Sequence, residues 1–272
     1  MSTWTATHAA TTAETARITA LYREAQTRII TALDRARARG NDTTHLLAAK
    51  GEVDAILADL RDVTGQWAQE AYPHMYTVGM DAATTQLARA GVTAAVDFAG
   101  IHQQAVAVLA ENAYNRLADV TNVVGRQVDD YYRALALENI KGAVLGIDTT
   151  RDAQQAIFSA YMQRNDTLGV AGFVDRSGRE WSMDVYSEMV ARTTLADTMR
   201  TGSRLRMAEA GVESFQVIGG PNPCEDCQAA IDGSPYTSDE LDALEGDSGH
   251  FTGPNCECTI VADTAALDAM GE

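Results

Sequence analysis

Cysteine is missing from this chain until Cys224, although the chain is 272 residues long. Lysine is nearly absent, with Lys50 and Lys141 the only two, and no lysine or arginine follows Arg206. Aromatic residues make up only 6%. No apolar run approaches the length of a membrane helix. Each shortage excludes something. With two lysines there is no Gly-x-x-x-x-Gly-Lys-Ser/Thr phosphate loop, and no Gly-x-Ser-x-Gly nucleophile elbow occurs either. A formal charge of −17 argues against broad gripping of a phosphate backbone, which needs lysine and arginine to neutralise it. The segment Met1 to Thr12 has neither a basic stretch nor an apolar core, so no secretory signal is expected. Glycine and proline are too sparse for a fibrous or disordered chain. The expectation is a soluble protein made in a cytoplasm, where clustered cysteines are more often metal ligands than disulfides.

What is present is alanine and aliphatic residues. At 46% hydrophobic with few rings, the composition favours close-packed helices. Ile18, Leu21, Ala25, Ile29 and Leu33 recur at three- and four-residue spacings and define one helix face. Gly40-Asn41-Asp42 ends that helix, and Asp42 or Thr43 can cap the next. Val53, Ile56, Leu57, Leu60 and Trp67 form the second stripe. Pro73 restricts Tyr72 and predicts a break before a third helix around Tyr76 to Ala90. Val106, Leu109, Ala113, Leu117, Val120, Val124, Val128, Tyr131 and Leu135 then run in an eleven-residue repeat, the mark of a nearly straight helix. It reads as one helix of about 40 residues over 99–142, or as two broken near Gly125.

The second half changes character. Asp148-Thr149-Thr150 can cap a helix carrying Ile157, Phe158 and Met162. Phe173 to Trp181 reads as a hairpin turning at Asp175-Arg176-Ser177-Gly178. Ser182 caps a helix from Met183 to about Ala210, stopped by Gly211. Phe215–Ile218 and Thr259–Val261 read as strands that could pair, with a short helix capped by Ser238 between them. The predicted fold is mostly α. A long-helix arm or bundle spans 1–147, and a small α+β lobe with a cysteine-clipped end spans 148–272.

The cysteines form two pairs, Cys224-Glu-Asp-Cys227 and Cys256-Glu-Cys258, with His250 just upstream of the second. Two such pairs across a loop suit a tetrahedral zinc site or two disulfides. Zinc would take four cysteines, or three with His250. A nucleic-acid zinc module fits poorly, because Glu225, Asp226, Asp239, Glu240, Asp242, Glu245, Asp247 and Glu257 give the region the wrong sign. A zinc deaminase needs His-x-Glu, but the residues two after His8, His45, His74, His102 and His250 are Ala, Leu, Tyr, Gln and Thr. A thioredoxin-like dithiol would need a strand, the Cys-x-x-Cys and a helix opening a βαβ unit. The favoured reading is a structural Zn2+ clip on Cys224, Cys227, Cys256 and Cys258, with His250 a fifth candidate. His102, on the long stripe, reads as a satisfied core histidine. Arg192, Arg200, Arg204 and Arg206 concentrate on one helix, as a solvated ion-paired face or a dock for an acidic partner.

The ordered set Phe173-Val-Asp-Arg-Ser-Gly-Arg-Glu-Trp181, Tyr186-Ser-Glu-Met189-Val-Ala-Arg192-Thr193, Pro223-Cys-Glu-Asp-Cys227, Asp232-Gly233 and His250 through Cys256-Glu-Cys258-Thr259 resembles the Mu F-like minor head proteins, also called phage minor capsid proteins. It covers roughly residues 170 to 262. The resemblance implies a non-catalytic virion component assembled in the host cytoplasm. It would sit at the portal vertex or capsid interior and act in head assembly, DNA packaging or delivery. Its partners would be the portal protein and/or the major capsid protein, with no membrane and no sequence-specific nucleic acid. The sequence departs from the family's His-Pro-x-Cys-Arg-Cys, since His250 stands six residues before Cys256 and Glu257 replaces the arginine. The other readings the residues leave open are a metal-dependent enzyme acting on nucleotides or proteins, and an acidic regulator that mimics DNA.

Overall fold

A computed structural model describes residues 3–38, 43–92, 100–145, 173–174, 178–247 and 253–271. Among them, seven helices and four short strands follow in order: α1 (Thr3–Ala38), α2 (Thr43–Arg89), α3 (Gly100–Leu145), β1 (Phe173–Val174), β2 (Glu180–Trp181), α4 (Met183–Glu209), β3 (Phe215–Ile218), α5 (Glu225–Asp232), α6 (Ser238–Asp247), β4 (Thr259–Ala262) and α7 (Thr264–Gly271). The fold is mostly α, as the sequence predicts. The capped helix expected after Asp148, with Ile157, Phe158 and Met162, falls outside the described residues, as does His250. The chain groups into two compact units. One is formed by Arg17–Gln66 and Tyr114–Glu188, the other by Met1–Ala16, Trp67–Ala113 and Met189–Glu272.

The first unit buries the predicted stripes. Ile18, Ile29 and Leu33 of α1, Val53, Ile56, Leu57 and Leu60 of α2, and Leu117, Val120, Val124 and Val128 of α3 are all buried. Leu21 is only half-buried, and its neighbour Tyr22 takes the inward place. The Tyr22 hydroxyl donates to the Leu117 carbonyl at 3.0 Å, so the buried phenol keeps a partner. Helix α3 is continuous, which decides between the two sequence readings. Gly125 lies inside it without breaking it, and an added Cβ there would make only an ordinary contact, 3.4 Å from Leu57 Cδ1. The strands β1 and β2 pair antiparallel, Phe173 opposite Trp181 and Val174 opposite Glu180. Gly178 has φ 82°, in the left-handed region that the predicted turn requires. Residues 175–177 of that turn lie outside the described set.

In the second unit the predicted break at Pro73 does not occur, because α2 runs through it. Proline inside a helix costs about 3 kcal/mol. Trp67, Tyr72, Met75 and Tyr76 around it are at most 1% exposed. Four large side chains at about 1.5–3 kcal/mol each outweigh that cost. At the other end of this unit, α1 begins far earlier than its aliphatic stripe. Thr7, Thr11 and Thr15, four apart, fill its inward face and are at most 7% exposed. Thr11 Oγ1 donates to the Thr7 carbonyl at 3.1 Å, the local bond that lets a hydroxyl lie against a helix.

Helices α2 and α4 cross with reciprocal glycines. A Cβ on Gly79 would lie 2.0 Å from the Met199 carbonyl oxygen, and one on Gly202 would lie 2.4 Å from that of Tyr76. Helix α4 then ends as predicted. Gly211 has φ 86°, its N–H bonds Ala208 O at 2.9 Å, and Val212 N–H bonds Met207 O at 3.0 Å.

Strands β3 and β4 pair antiparallel, from Phe215 opposite Ala262 to Ile218 opposite Thr259. Side chains close the outer edge of β4. The Gln86 amide both donates to Ala262 O at 3.0 Å and accepts from Ala262 N–H at 3.1 Å. Arg200 donates to Cys258 O at 2.8 Å. On the β3 side, Phe215 exchanges backbone bonds of 2.8 Å with Tyr236, and Ser234 Oγ accepts from Val217 N–H at 2.9 Å. A two-stranded sheet without such cover would offer a template for other strands.

Candidate metal centre

The first cysteine pair sits where β3 gives way to α5. Cys224 is the N-cap of α5, with φ −72° and ψ 173°, and its sulfur accepts from Cys227 N–H at 3.4 Å. A thiol there takes the place of the usual Ser or Asp and faces the positive end of the helix dipole. The sequence suggests a bare turn at this pair. The helix is only eight residues long, too short for periodicity to mark, although Cys227 and Ala230 do give it one buried face.

The second pair is presented by a tight turn before β4. Asn255 adopts φ 64°, and Cys256 N–H bonds Gly253 O at 3.1 Å. Asparagine tolerates that left-handed conformation better than most residues.

The folding of these two loops brings Cys227, Cys256 and Cys258 together. Their sulfurs all lie within 4.8 Å of one another, and all three residues are at most 3% exposed. Cys227 Sγ and Cys256 Sγ stand 3.7 Å apart, and none of the four cysteines is in a disulfide. Four sulfurs at about 2.3 Å from a tetrahedral zinc would be about 3.8 Å apart, so the spacing suits a shared ion. A disulfide needs about 2.05 Å. Cys224 is half-buried at the edge of a cleft of about 330 Å³ that Cys227, Asn222, Asn255 and Glu257 also line. The cluster and the cleft are compatible with a metal site.

Two of the thiols, Cys227 and Cys258, are held in the protonated form and so are poor nucleophiles. Burial, followed by the hydrogen bond with Cys224, pushes Cys227 up to about 12. The hydrogen bond with Cys256, then burial, pushes Cys258 far above the usual thiol range. A reactive cysteine requires the opposite shift. The local order β3, Cys-x-x-Cys, α5 does exist, but β3 and β4 are antiparallel, so there is no βαβ unit of the thioredoxin kind among the described residues.

Other sequence candidates resolve differently. His102 is fully buried. Its Nδ1 is 2.7 Å from Tyr76 Oη and its Nε2 is 2.7 Å from Glu209 Oε1, so it is a satisfied core residue. Burial, then the charge of Glu209, raises Tyr76 to about 12. Three of the four α4 arginines are engaged within the fold, and the fourth, Arg192, is half-buried. Arg200 and Arg206 are each 2% exposed; Arg206 bonds Thr84 at 3.1 Å and Glu209 at 3.3 Å. Arg204 pairs with Asp242 at 2.7 Å. Sequence shows the charges but not the acids and carbonyls that the fold places against them.

Residues 9–256 match the family model described as phage minor capsid protein 2. No curated protein and no solved structure matches the chain. No helix among the described residues is long and apolar enough to cross a membrane.

Proposed function

We propose that this chain, which belongs to the phage minor capsid protein 2 family, serves at the portal vertex or inner face of a tailed-phage head. Membership makes it a structural component of the virion that assembles with other head proteins. The finer role is our reading: head assembly, DNA packaging or delivery, with the portal protein and/or the major capsid protein as partner, built in the host cytoplasm in several copies per particle. The observation that carries this is the family match over nearly the whole chain. Two continuous helices of 47 and 46 residues are its physical counterpart, since long elements suit a part that reaches between neighbours. The absence of lysine and arginine after Arg206 fits a component that does not read nucleic acid sequence.

In the same reading the cysteines hold one structural Zn2+. Cys227, Cys256 and Cys258 supply three sulfurs, and Cys224 completes the tetrahedron, with His250 the competing fourth donor. A zinc ion there fastens the α5 and β4 ends of a lobe whose sheet, among the described residues, has two strands. A catalytic zinc keeps one position open for water, and a four-cysteine set closes it.

The test is co-expression with the portal protein and, separately, with the major capsid protein of the same phage. Co-elution with at least one of them in size-exclusion chromatography is expected. Separate elution from both would refute the proposed placement. Elemental analysis of the same preparation should give one zinc per chain.

A further inference from the structure

We infer that Arg200 is the charge partner of the zinc centre, a positioning residue that offsets the negative charge of the thiolates. The inference rests on the zinc reading above. A zinc ion with four thiolates keeps about two negative charges. Buried charge is tolerated where an opposite charge and hydrogen bonds meet it. The lobe itself offers no lysine or arginine after Arg206, and Glu225, Asp226 and Glu257 flank the cysteines in sequence. The compensating charge must therefore come from another element.

Helix α4 supplies it. Arg200 is 2% exposed and donates through Nη1 to the carbonyl of Cys258, itself a proposed ligand, at 2.8 Å. Its Nη2 pairs with Asp197, whose carboxylate is 36% exposed. Its Nε is buried without a hydrogen-bond partner. A guanidinium held this way is costly unless a nearby negative charge stabilises it. The other basic residues that line the cavity beside Cys256 and Cys258, Arg192 and His8, are less buried, and water screens them. Arg200 also fixes the loop's position, because the Cys258 carbonyl sits one residue before β4. Partners of this kind around a metal ligand typically change affinity by about 10–100-fold when removed.

Asp197 makes the claim separable from a purely structural role. Its carboxylate neutralises part of the Arg200 charge. Zinc affinity is measured by competition with a chelator for Arg200→Gln, which can keep a donor to Cys258 O but loses the charge, and for Asp197→Asn. The expected result is opposite signs: Arg200→Gln binds zinc at least about 10-fold more weakly, and Asp197→Asn binds several-fold more tightly. Affinity of Arg200→Gln within two-fold of the parent, or weakening in both variants, overturns the inference. If circular dichroism shows Arg200→Gln unfolded, Asp197→Asn decides alone: tightening supports the inference, and no change or weakening overturns it. A wild-type chain that takes up no zinc removes the zinc reading and the inference together. Wild-type uptake with unshifted variants sinks the inference alone.

Discussion

Replacing Gly79 with alanine should destabilise the protein, although alanine is the better helix former. An ideal Cβ at position 79 would stand 2.0 Å from the Met199 carbonyl oxygen, 2.9 Å from its carbonyl carbon and 3.1 Å from its Cα. All three atoms are backbone, so no side chain can swing aside. Restoring an ordinary contact distance of about 3.5 Å means parting α2 and α4 by about 1.5 Å at this crossing. A gap of even about 0.5–1 Å forfeits a quarter to a half of each dispersion contact. The residues that would lose contact include the fully buried Tyr76, which lies against Gly202, and the buried Met199. Overpacking of this kind costs about 1–3 kcal/mol and sometimes more, and a backbone clash belongs at the upper end. Gly→Ala in a helix returns about 1 kcal/mol. The net expectation is a loss of about 2 kcal/mol, or about 4–8 °C in Tm for a chain of this size. Gly51 in the same helix is the control. It is exposed and has no atom within 4 Å of its Cβ position. Gly51→Ala should therefore stabilise by about 0.8–1 kcal/mol. Thermal unfolding followed by circular dichroism in the far ultraviolet reads both. A Gly79→Ala variant that melts with or above the parent would refute the described crossing.

Three further outcomes follow from named contacts. Gln86→Leu strips both bonds from the fully buried Ala262 and leaves its N–H and C=O unpaired. Urea unfolding should then show a loss of about 2–4 kcal/mol, whereas an unchanged stability would contradict the edge-capping role. Asp184 is pushed up by burial, but hydrogen bonds from Ser182, Arg23 and the Val185 amide outweigh this and hold its carboxyl below the usual range. A lowered folded value stabilises at neutral pH and loses that contribution as pH falls through it. Asp184→Asn should therefore cost about 1 kcal/mol at neutral pH, and the gap to the parent should close in strong acid. Cys227→Ser should abolish stoichiometric zinc uptake, read by elemental analysis, and lower the Tm of the zinc-loaded protein to that of the chelator-treated parent.

The apolar stripes were legible because aliphatic periodicity reports burial directly. Val53 to Trp67 and Val106 to Tyr131 form the inward faces that their spacing implies, apart from the half-buried Leu109. The same rule misses the start of α1, where threonines stand in for aliphatics, and α7, an eight-residue helix that no spacing marks. Pro73 misleads because its local penalty, taken alone, ignores the burial around it. The strand pair, the Ser182 cap and the Gly211 stop were visible because turn and cap chemistry is local. The cysteine cluster was half legible. Sequence places four thiols in two pairs, but the fold makes three of them one buried group and turns Cys224 into a helix cap. Arg200 gives no signal as a partner of that group, because its contact with Cys258 spans 58 residues.

Quantitative mass spectrometry of purified phage particles tests the central claim most directly. A structural minor head protein should be present in the mature head at a few copies to a few tens, far below the major capsid protein, and should stay with the head when tails are removed. Its absence from both procapsids and mature particles would contradict the account.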